Sequence, residues 1–327
     1  MVSSSASSPP EDRRRSVTVV IPTYAGGRWP LLRLAVASAR RQRPPPEEVI
    51  VCVDHNADLS ARCRREWCGA TGEGAPPVIV ADSRHPGHQG ASRTTGVELA
   101  RGEFVLFLDD DAAGEEGWLD RMLRAFDDPA VIAVGGAPLP DYSKPRPRWF
   151  PREFDWVFGC AYLGLPEVAG PVRRVIGTTM AARRRDLEAI GGFHSDDFDD
   201  LDMCHRLLAQ FPGRTIVYEP AAVVRHHVHS ERLTWHYFWR RCLLVNRGKV
   251  KAMRAMGEAA NLAADRSFAG RALTAGVASG LRQFASGDPG GLERALALCA
   301  GVGLAGLGYS LGTLEWAGGR ALAGVRR

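Results

Sequence analysis

The chain has 327 residues, enough for one large domain or two ordinary ones, and its 45% hydrophobic and 24% charged residues exclude a disordered polymer. Its 42 Lys and Arg against 37 Asp and Glu leave a net charge of +5. That surplus suits an anionic ligand or an anionic membrane surface and is too small for a nucleic-acid partner.

Residues 1–16 carry no apolar signal segment. Their serines, Pro9, Pro10 and the Arg13, Arg14, Arg15 cluster read as a disordered polar tail. Residues 17–22 (VTVVIP) are a β-branched run closed by proline, which predicts a buried strand. A helix is expected over 31–41, stopped by Pro44, Pro45 and Pro46, and a second strand over 48–53 (EVIVCV), followed by Asp54, His55 and Asn56. A third strand is expected at 78–81, a helix at 90–100 ending near Gly102, and a fourth strand at 104–108 (FVLFL) that runs into Asp109, Asp110 and Asp111. Strands alternating with helices predict an α/β fold with a mostly parallel central sheet. Ligands of such sheets gather at the carboxyl ends of the strands, where Asp54 and the three aspartates stand.

Residues 138–171 are rich in Pro, Arg and aromatics, including Trp149, Phe150, Phe154, Trp156, Phe158 and Tyr162, and are expected to form a functional loop region. Regular structure resumes at 175–183, a helix is expected near 202–210 and a strand near 215–218, and from Leu233 onward the pattern is helical. Residues 295–314 contain no charged side chain, long enough to span a bilayer. Their Ala and Gly content leaves two readings open: a helix in or on a membrane, or a helix packed on the domain. Gly308 and Gly312 form a small-xxx-small pair within it. The seven cysteines are scattered and form no CxxC, as expected for packed thiols of a reduced, cytoplasm-facing protein.

Three adjacent carboxylates after an apolar strand repel one another unless a cation or donors compensate. Mg²⁺ or Mn²⁺ would do so, with Asp109 and Asp111 on one side of the extended chain and Asp110 on the other. A solvated turn capping the next helix is the alternative. The second acidic run, Asp196, Asp197, Asp199, Asp200 and Asp202, either lines a helix N-terminus or supplies a general base. In Arg225-His226-His227-Val228-His229, the imidazoles of His227 and His229, or of His226 alone, could ligate a metal or touch phosphate. No matching Cys or His set accompanies them for zinc.

In this order, Val19-Val20-Ile21-Pro22-Thr23-Tyr24, Glu48 to Asp54, Ala91 to Gly96, Phe107 to Asp111, Gly191-Gly192-Phe193 and Asp199-Asp200-Leu201-Asp202 resemble the family 2 glycosyltransferases. The resemblance runs from about Val17 to His229 and implies the GT-A fold. It implies a catalytic domain over 17–232, with a nucleotide-binding half at 17–111 and an acceptor-binding half at 112–232, followed by a helical region at 233–327. By the resemblance, Pro22, Thr23, Tyr24, Asp54, Arg93 and Asp110 line the nucleotide pocket. Asp111 and Asp109 are the metal-associated DxD, with His226 beside them. Asp200 or its neighbour Asp199 is the catalytic base. Here Asp54-His55-Asn56-Ala57 replaces the family's usual Asp-Asp-Gly-Ser, Asp199-Asp200 its usual Glu-Asp, and Thr94 stands where an Asn is usual.

Residues 149–160 and Arg232-Leu233-Thr234-Trp235 are further similar to a prokaryotic subgroup that includes archaeal glucuronosyltransferases acting on dolichyl-phosphate-linked sugars. That likeness implies an acceptor site at Trp149, Trp156 and Tyr162, and Arg240, Arg241, Arg247 and Lys249 near a lipid diphosphate or anionic headgroups. The expected protein is a metal-dependent hexosyltransferase at the inner face of the cell membrane, using Mn²⁺ or Mg²⁺. Its donor would be a UDP- or GDP-linked sugar and its acceptor a glycan or lipid-linked sugar, with no nucleic acid involved. A polyprenyl-phosphate glycosyltransferase, a nucleotidyltransferase and a catalytically silent sugar-nucleotide-binding scaffold are the rivals.

Overall fold

The computed structural model describes residues 15–69, 74–85, 89–194, 198–255 and 263–325. Most of the expected tail, with Arg13 and Arg14, and Asp196 and Asp197 of the acidic run lie outside the described residues. Arg15 is not part of a free tail: it pairs with Asp127 and donates to the Leu123 carbonyl.

The first half alternates as expected. Strand β1 (Val17–Thr23), helix α1 (Trp29–Arg40), β2 (Glu48–Val53), α2 (Ala57–Trp67), β3 (Val78–Asp82), α3 (Gln89–Leu99) and β4 (Phe104–Leu108) follow one another. Helix α2 has no counterpart among the expected elements. Its N-cap is Asn56, whose side chain accepts a hydrogen bond from the Leu59 N–H at 3.0 Å.

These strands are apolar at nearly every position because helices cover both faces of the sheet. Val19, Ile21, Val51, Leu106 and Leu108 point into one core with α1 and α2. Val20, Ile50, Val105 and Phe107 point into the other. Burying each such side chain stabilises the fold by about 1.5–3 kcal/mol.

The second half comprises β5 (Ala112–Gly114), α4 (Trp118–Arg124), β6 (Val131–Tyr142), β7 (Gly170–Val172), β8 (Thr179–Arg183), α5 (Arg184–Ala189), α6 (Asp199–Gln210) and β9 (Thr215–Val228). The sheet order is β3-β2-β1-β4-β8-β6-β9-β5, with β7 also paired to β9. Pairs among β1 to β4 are parallel, and so is β6 with β9, whereas β8 runs antiparallel to both its neighbours. The chain returns from edge strand β3 to lay β4 beside β1. That makes the carboxyl ends of β1 and β4 a topological switch point, where α/β sheets open a crevice.

The expected loop from residue 138 begins too early, because β6 continues to Tyr142 through Pro138 and Pro140. Strand β8 flanks β6 only over Ala133–Gly135; beyond it no strand among the described residues pairs with the far edge of β6, where the Pro138 carbonyl accepts from the Ala161 N–H at 2.7 Å. Two prolines of the same parity turn their missing donors to that edge and leave the pairing with β9 intact.

The C-terminal region is helical: α7 (Trp235–Ala255), α8 (Ala263–Arg271), a π-helical turn at Ala272–Gly276, α9 (Val277–Ala285) and α10 (Pro289–Val325). Helix α10 lies along α7. A Cβ on Gly308 would come within 2.1 Å of the Leu243 carbonyl oxygen, and one on Gly312 within 2.5 Å of that of Arg247. The small-xxx-small pair thus lets one helix rest on the backbone of another inside this molecule. Residues 289–317 remain long and apolar enough to cross a membrane, with a third of the most apolar window (33%) buried against the protein.

Candidate active site

The crevice at the switch point opens into a cleft of about 2150 Å³ that continues to the C-terminal helices. The ends of β1 and β2 contribute Pro22, Thr23, Tyr24 and Asp54, and the start of α3 contributes Gln89 and Arg93. Asp109, Asp110 and Asp111 follow β4, Asp199 and Asp200 open α6, and His226 comes from β9. Of the three aromatics expected at an acceptor site, Trp156 and Tyr162 reach the cleft. Trp149 belongs instead to an aromatic cluster, with ring centroids 5.3 Å from Trp235 and 5.5 Å from Phe238. That packing holds it off the wall of this cleft, unlike Trp156 and Tyr162.

The three aspartates after β4 are not on an extended chain as expected but in a tight turn, closed by the Ala112 N–H donating to the Asp109 carbonyl at 3.1 Å. Asp110 turns toward β1, accepting from Thr23 Oγ1 at 2.6 Å and from Arg28 Nη1 at 3.1 Å. Asp109 and Asp111 meet at His226, and Arg28 Nη1 also lies 3.2 Å from Asp111 Oδ2. Asp109 accepts from Gln89 Nε2 at 2.7 Å and Arg93 Nη2 at 2.9 Å, and Asp111 lies 3.1 Å from His226 Nε2. Ligand atoms of Asp109, Asp111 and His226 all lie within 4.8 Å of one another, the metal-capable grouping among the described residues. Two carboxylates and an imidazole suit a hard or borderline divalent ion.

His226 enters this group through register, since β9 pairs Ala112 with His226 immediately beyond the aspartates. Its Nδ1 sits 3.5 Å from the Cys160 sulfur. His227 points elsewhere, 3.7 Å from Asp141, and its ring meets that of His229.

Burial and charge set the protonation of the group. Burial raises the Asp109 carboxyl to about 6, against the pull of Arg93. Burial also opposes ionisation of Asp111, but the hydrogen bond and charge of His226 outweigh it and hold that carboxyl at about 2. The same contact, with Cys160 adding to it, lifts His226 to about 10 although burial alone would lower it.

Across the cleft, α6 begins with Asp199 and Asp200, where the helix macrodipole favours negative charge. Their environments differ. Asp199 forms an ion pair with the buried Arg93. Asp200 accepts from the Gly177 N–H at 3.1 Å and stays half-buried on the cleft wall. Burial and the neighbouring Asp199 charge raise its carboxyl above the usual range.

Arg93 joins the two acidic clusters. Its guanidinium serves Asp109, Asp199 and the Gly177 carbonyl, and the side chain is 1% exposed. Asp54 lies at the mouth of the crevice, 2.6 Å from His55 Nδ1. Arg28, Gln89 and Cys160 were not among the expected site residues. A basic residue in the Gly26-Gly27-Arg28 turn straight after β1 was the one signal available for them.

A family model described as glycosyl transferase family 2 matches residues 18–191, more than half of the chain. The chain belongs to the family 2 glycosyltransferases. This glycosyltransferase is 28% identical over 235 residues to the glucosyl-dolichyl phosphate glucuronosyltransferase of Haloferax volcanii, covering 67% of this chain and 73% of that protein. It is 30% identical over 163 residues to the pre-mycofactocin glycosyltransferase of Mycobacterium tuberculosis, covering 46% of this chain and 33% of that longer protein. Among solved structures it is similar to the mannosyltransferase PcManGT from Pyrobaculum calidifontis, in complex with GDP-Man and Mn²⁺. That likeness has a TM-score of 0.56 at 20% identity and covers 94% of this chain and 80% of that one. It establishes the GT-A fold for this glycosyltransferase.

Proposed function

We propose that the chain is an inverting, metal-dependent glycosyltransferase that moves a sugar from a UDP- or GDP-linked donor to an acceptor hydroxyl. The observation that carries this reading is the grouping of Asp109, Asp111 and His226 at the switch-point cleft, with Asp200 on the opposite wall. Asp109, Asp111 and His226 would hold Mn²⁺ or Mg²⁺, which supplies positive charge to the departing nucleoside diphosphate. Pro22, Thr23, Tyr24 and Asp54 form the nucleotide end of the cleft, with Asp110 fixed behind them by Thr23.

Asp200 is the base. Asp199 is committed to Arg93, whereas Asp200 presents a carboxylate whose affinity for a proton is raised by burial and by its neighbour. As the acceptor oxygen attacks the anomeric carbon from the face opposite the leaving group, Asp200 takes the hydroxyl proton. A carboxylate is too weak to ionise an alcohol beforehand, so this transfer occurs late in the bond-forming step.

On the acceptor side, Trp156 and Tyr162 offer aromatic faces to a sugar. Arg232, Arg241 and Lys249 also line the cleft and support an anionic, lipid-linked acceptor such as the one named for the Haloferax relative. Were the acceptor a polyprenyl phosphate, its oxygen would already be ionised and Asp200 dispensable; this is the second reading. Nine of the thirteen large apolar side chains exposed among the described residues lie between Trp235 and Leu314. With Arg240 and Arg247 alongside, this surface supports attachment of the helical region, 233–327, to the inner face of the cell membrane, and the catalytic unit would then be 17–232.

A panel of nucleotide sugars with and without Mn²⁺ or Mg²⁺, read by thermal stabilisation, tests the donor reading. One base and sugar should raise the melting temperature only with the ion. A panel in which no nucleotide sugar stabilises the protein would refute the reading.

A further inference from the structure

Arg28 stands beside the carboxylate cluster without a place in the chemistry above. It ends the short turn Gly26–Arg28 between β1 and α1. Its Nη1 lies 3.1 Å from Asp110 Oδ1 and 3.2 Å from Asp111 Oδ2, and its guanidinium carbon is 5.5 Å from the centre of the Tyr24 ring. One cation therefore bridges a carboxylate that faces β1 and a carboxylate of the metal-capable group. The two would respond differently to its departure. Asp110 keeps the Thr23 hydroxyl as a donor, and Asp111 keeps His226.

Arg28 is held at its tip and loosely at its base. A Cβ on Gly26 or Gly27 would meet nothing within 4 Å, so the turn that bears Arg28 has open space on both glycines. The side chain is 21% exposed, and it faces the cleft between Tyr24 at the nucleotide end and Asp111. A guanidinium fork suits two phosphate oxygens better than it suits two divergent carboxylates.

We propose that Arg28 is a resident counter-cation of the aspartate cluster and a donor-binding residue. It neutralises Asp110 and Asp111 before ligands arrive, cedes Asp111 to a divalent ion, and turns its guanidinium to the donor's diphosphate. The inference rests on the metal and donor reading given above. It makes ion and nucleotide binding cooperative. A cation at Asp111 opposes a second cation there, and a diphosphate that draws Arg28 away removes that opposition.

The test is Mn²⁺ binding, read from the electron paramagnetic resonance of the free ion, with and without UDP or GDP. Wild type is compared with Arg28→Met and Arg28→Lys. In wild type the nucleotide should tighten ion binding. In Arg28→Met the ion alone should bind about tenfold more tightly and the nucleotide, with Mn²⁺ present, about tenfold more weakly. A damaged fold would weaken both, so the opposite signs separate the role from a structural one. Arg28→Lys should move both quantities in the same directions by smaller factors, and it carries the test if the Met variant does not fold. Shifts of one sign, or no shifts, in a series whose wild type binds both ligands would overturn the role of Arg28 and leave the donor reading standing. A wild type that binds no Mn²⁺ even with nucleotide would overturn both.

Discussion

At the end of β4, Asp109, Asp110 and Asp111 follow a strand. At the start of α6, Asp199 and Asp200 open a helix. A tight turn after β4, closed by the Ala112 N–H donating to the Asp109 carbonyl, brings Asp109 and Asp111 together with His226, while Asp110 is held by Thr23 and shares Arg28 with Asp111. The helix turns successive side chains by about 100°, so Asp199 swings inward to Arg93 and its neighbour stays on the cleft. Identical residues thus meet unlike partners because the backbone under them differs, a tight turn in one case and the first turn of a helix in the other. One cluster gathers two carboxylates and an imidazole within 4.8 Å of one another, and the other separates a carboxylate paired with Arg93 from one left on the cleft wall.

The largest break in this contrast should come from the gathered cluster. Asp111→Asn is expected to lower the transfer rate by about 10³-fold or more and to abolish Mn²⁺-dependent thermal stabilisation by the donor. Asp200→Asn should lower kcat by about 10²- to 10³-fold while donor binding, measured by calorimetry, stays within twofold of about the wild-type value. Normal turnover by this variant would favour the polyprenyl-phosphate acceptor. Asp199→Asn should instead act through Arg93, costing stability before rate.

Replacing Arg93 by Met sharpens the comparison from its centre. It strands Asp109 and Asp199 without their shared cation, and unfolding by denaturant should show a loss of about 3 kcal/mol. The smallest effect is a pH dependence. His226 is lifted from 6.5 to about 10 by its pairing with Asp111. The stability that pairing contributes is fully present below pH 6.5 and is lost as pH rises through about 10. Metal-free wild type should therefore lose a few degrees more of melting temperature across that interval than His226→Gln does.

Much of this was legible along the chain. Strands β1, β2 and β4 announce themselves because a sheet covered on both faces needs unbroken apolar runs, and the aspartates stand where such a strand must end. Helix α2 was missed, because it is too polar on its outer face to stand out, although Asn56 is a residue type suited to cap it. What stayed hidden depends on distant partners. Nothing local in Pro138 and Pro140 reveals that no strand among the described residues pairs with the far edge of β6 there. Trp149 resembles its neighbours Trp156 and Tyr162, and only the packing of Trp235 and Phe238 removes it from the cleft wall. Arg28 meets Asp110 across 82 positions, and Arg93 meets Asp199 across 106. No spacing rule spans such separations.

The contact at Gly308 and Gly312 reaches beyond helix packing. Tyr237, Arg241 and Leu244 of α7 and Val302, Ala305 and Tyr309 of α10 face the same cleft. The gap between those helices is therefore gauged by two positions that carry no side chain at all. A methyl group at either would wedge the pair apart from behind, so the bore of the cleft is set without altering any residue that lines it.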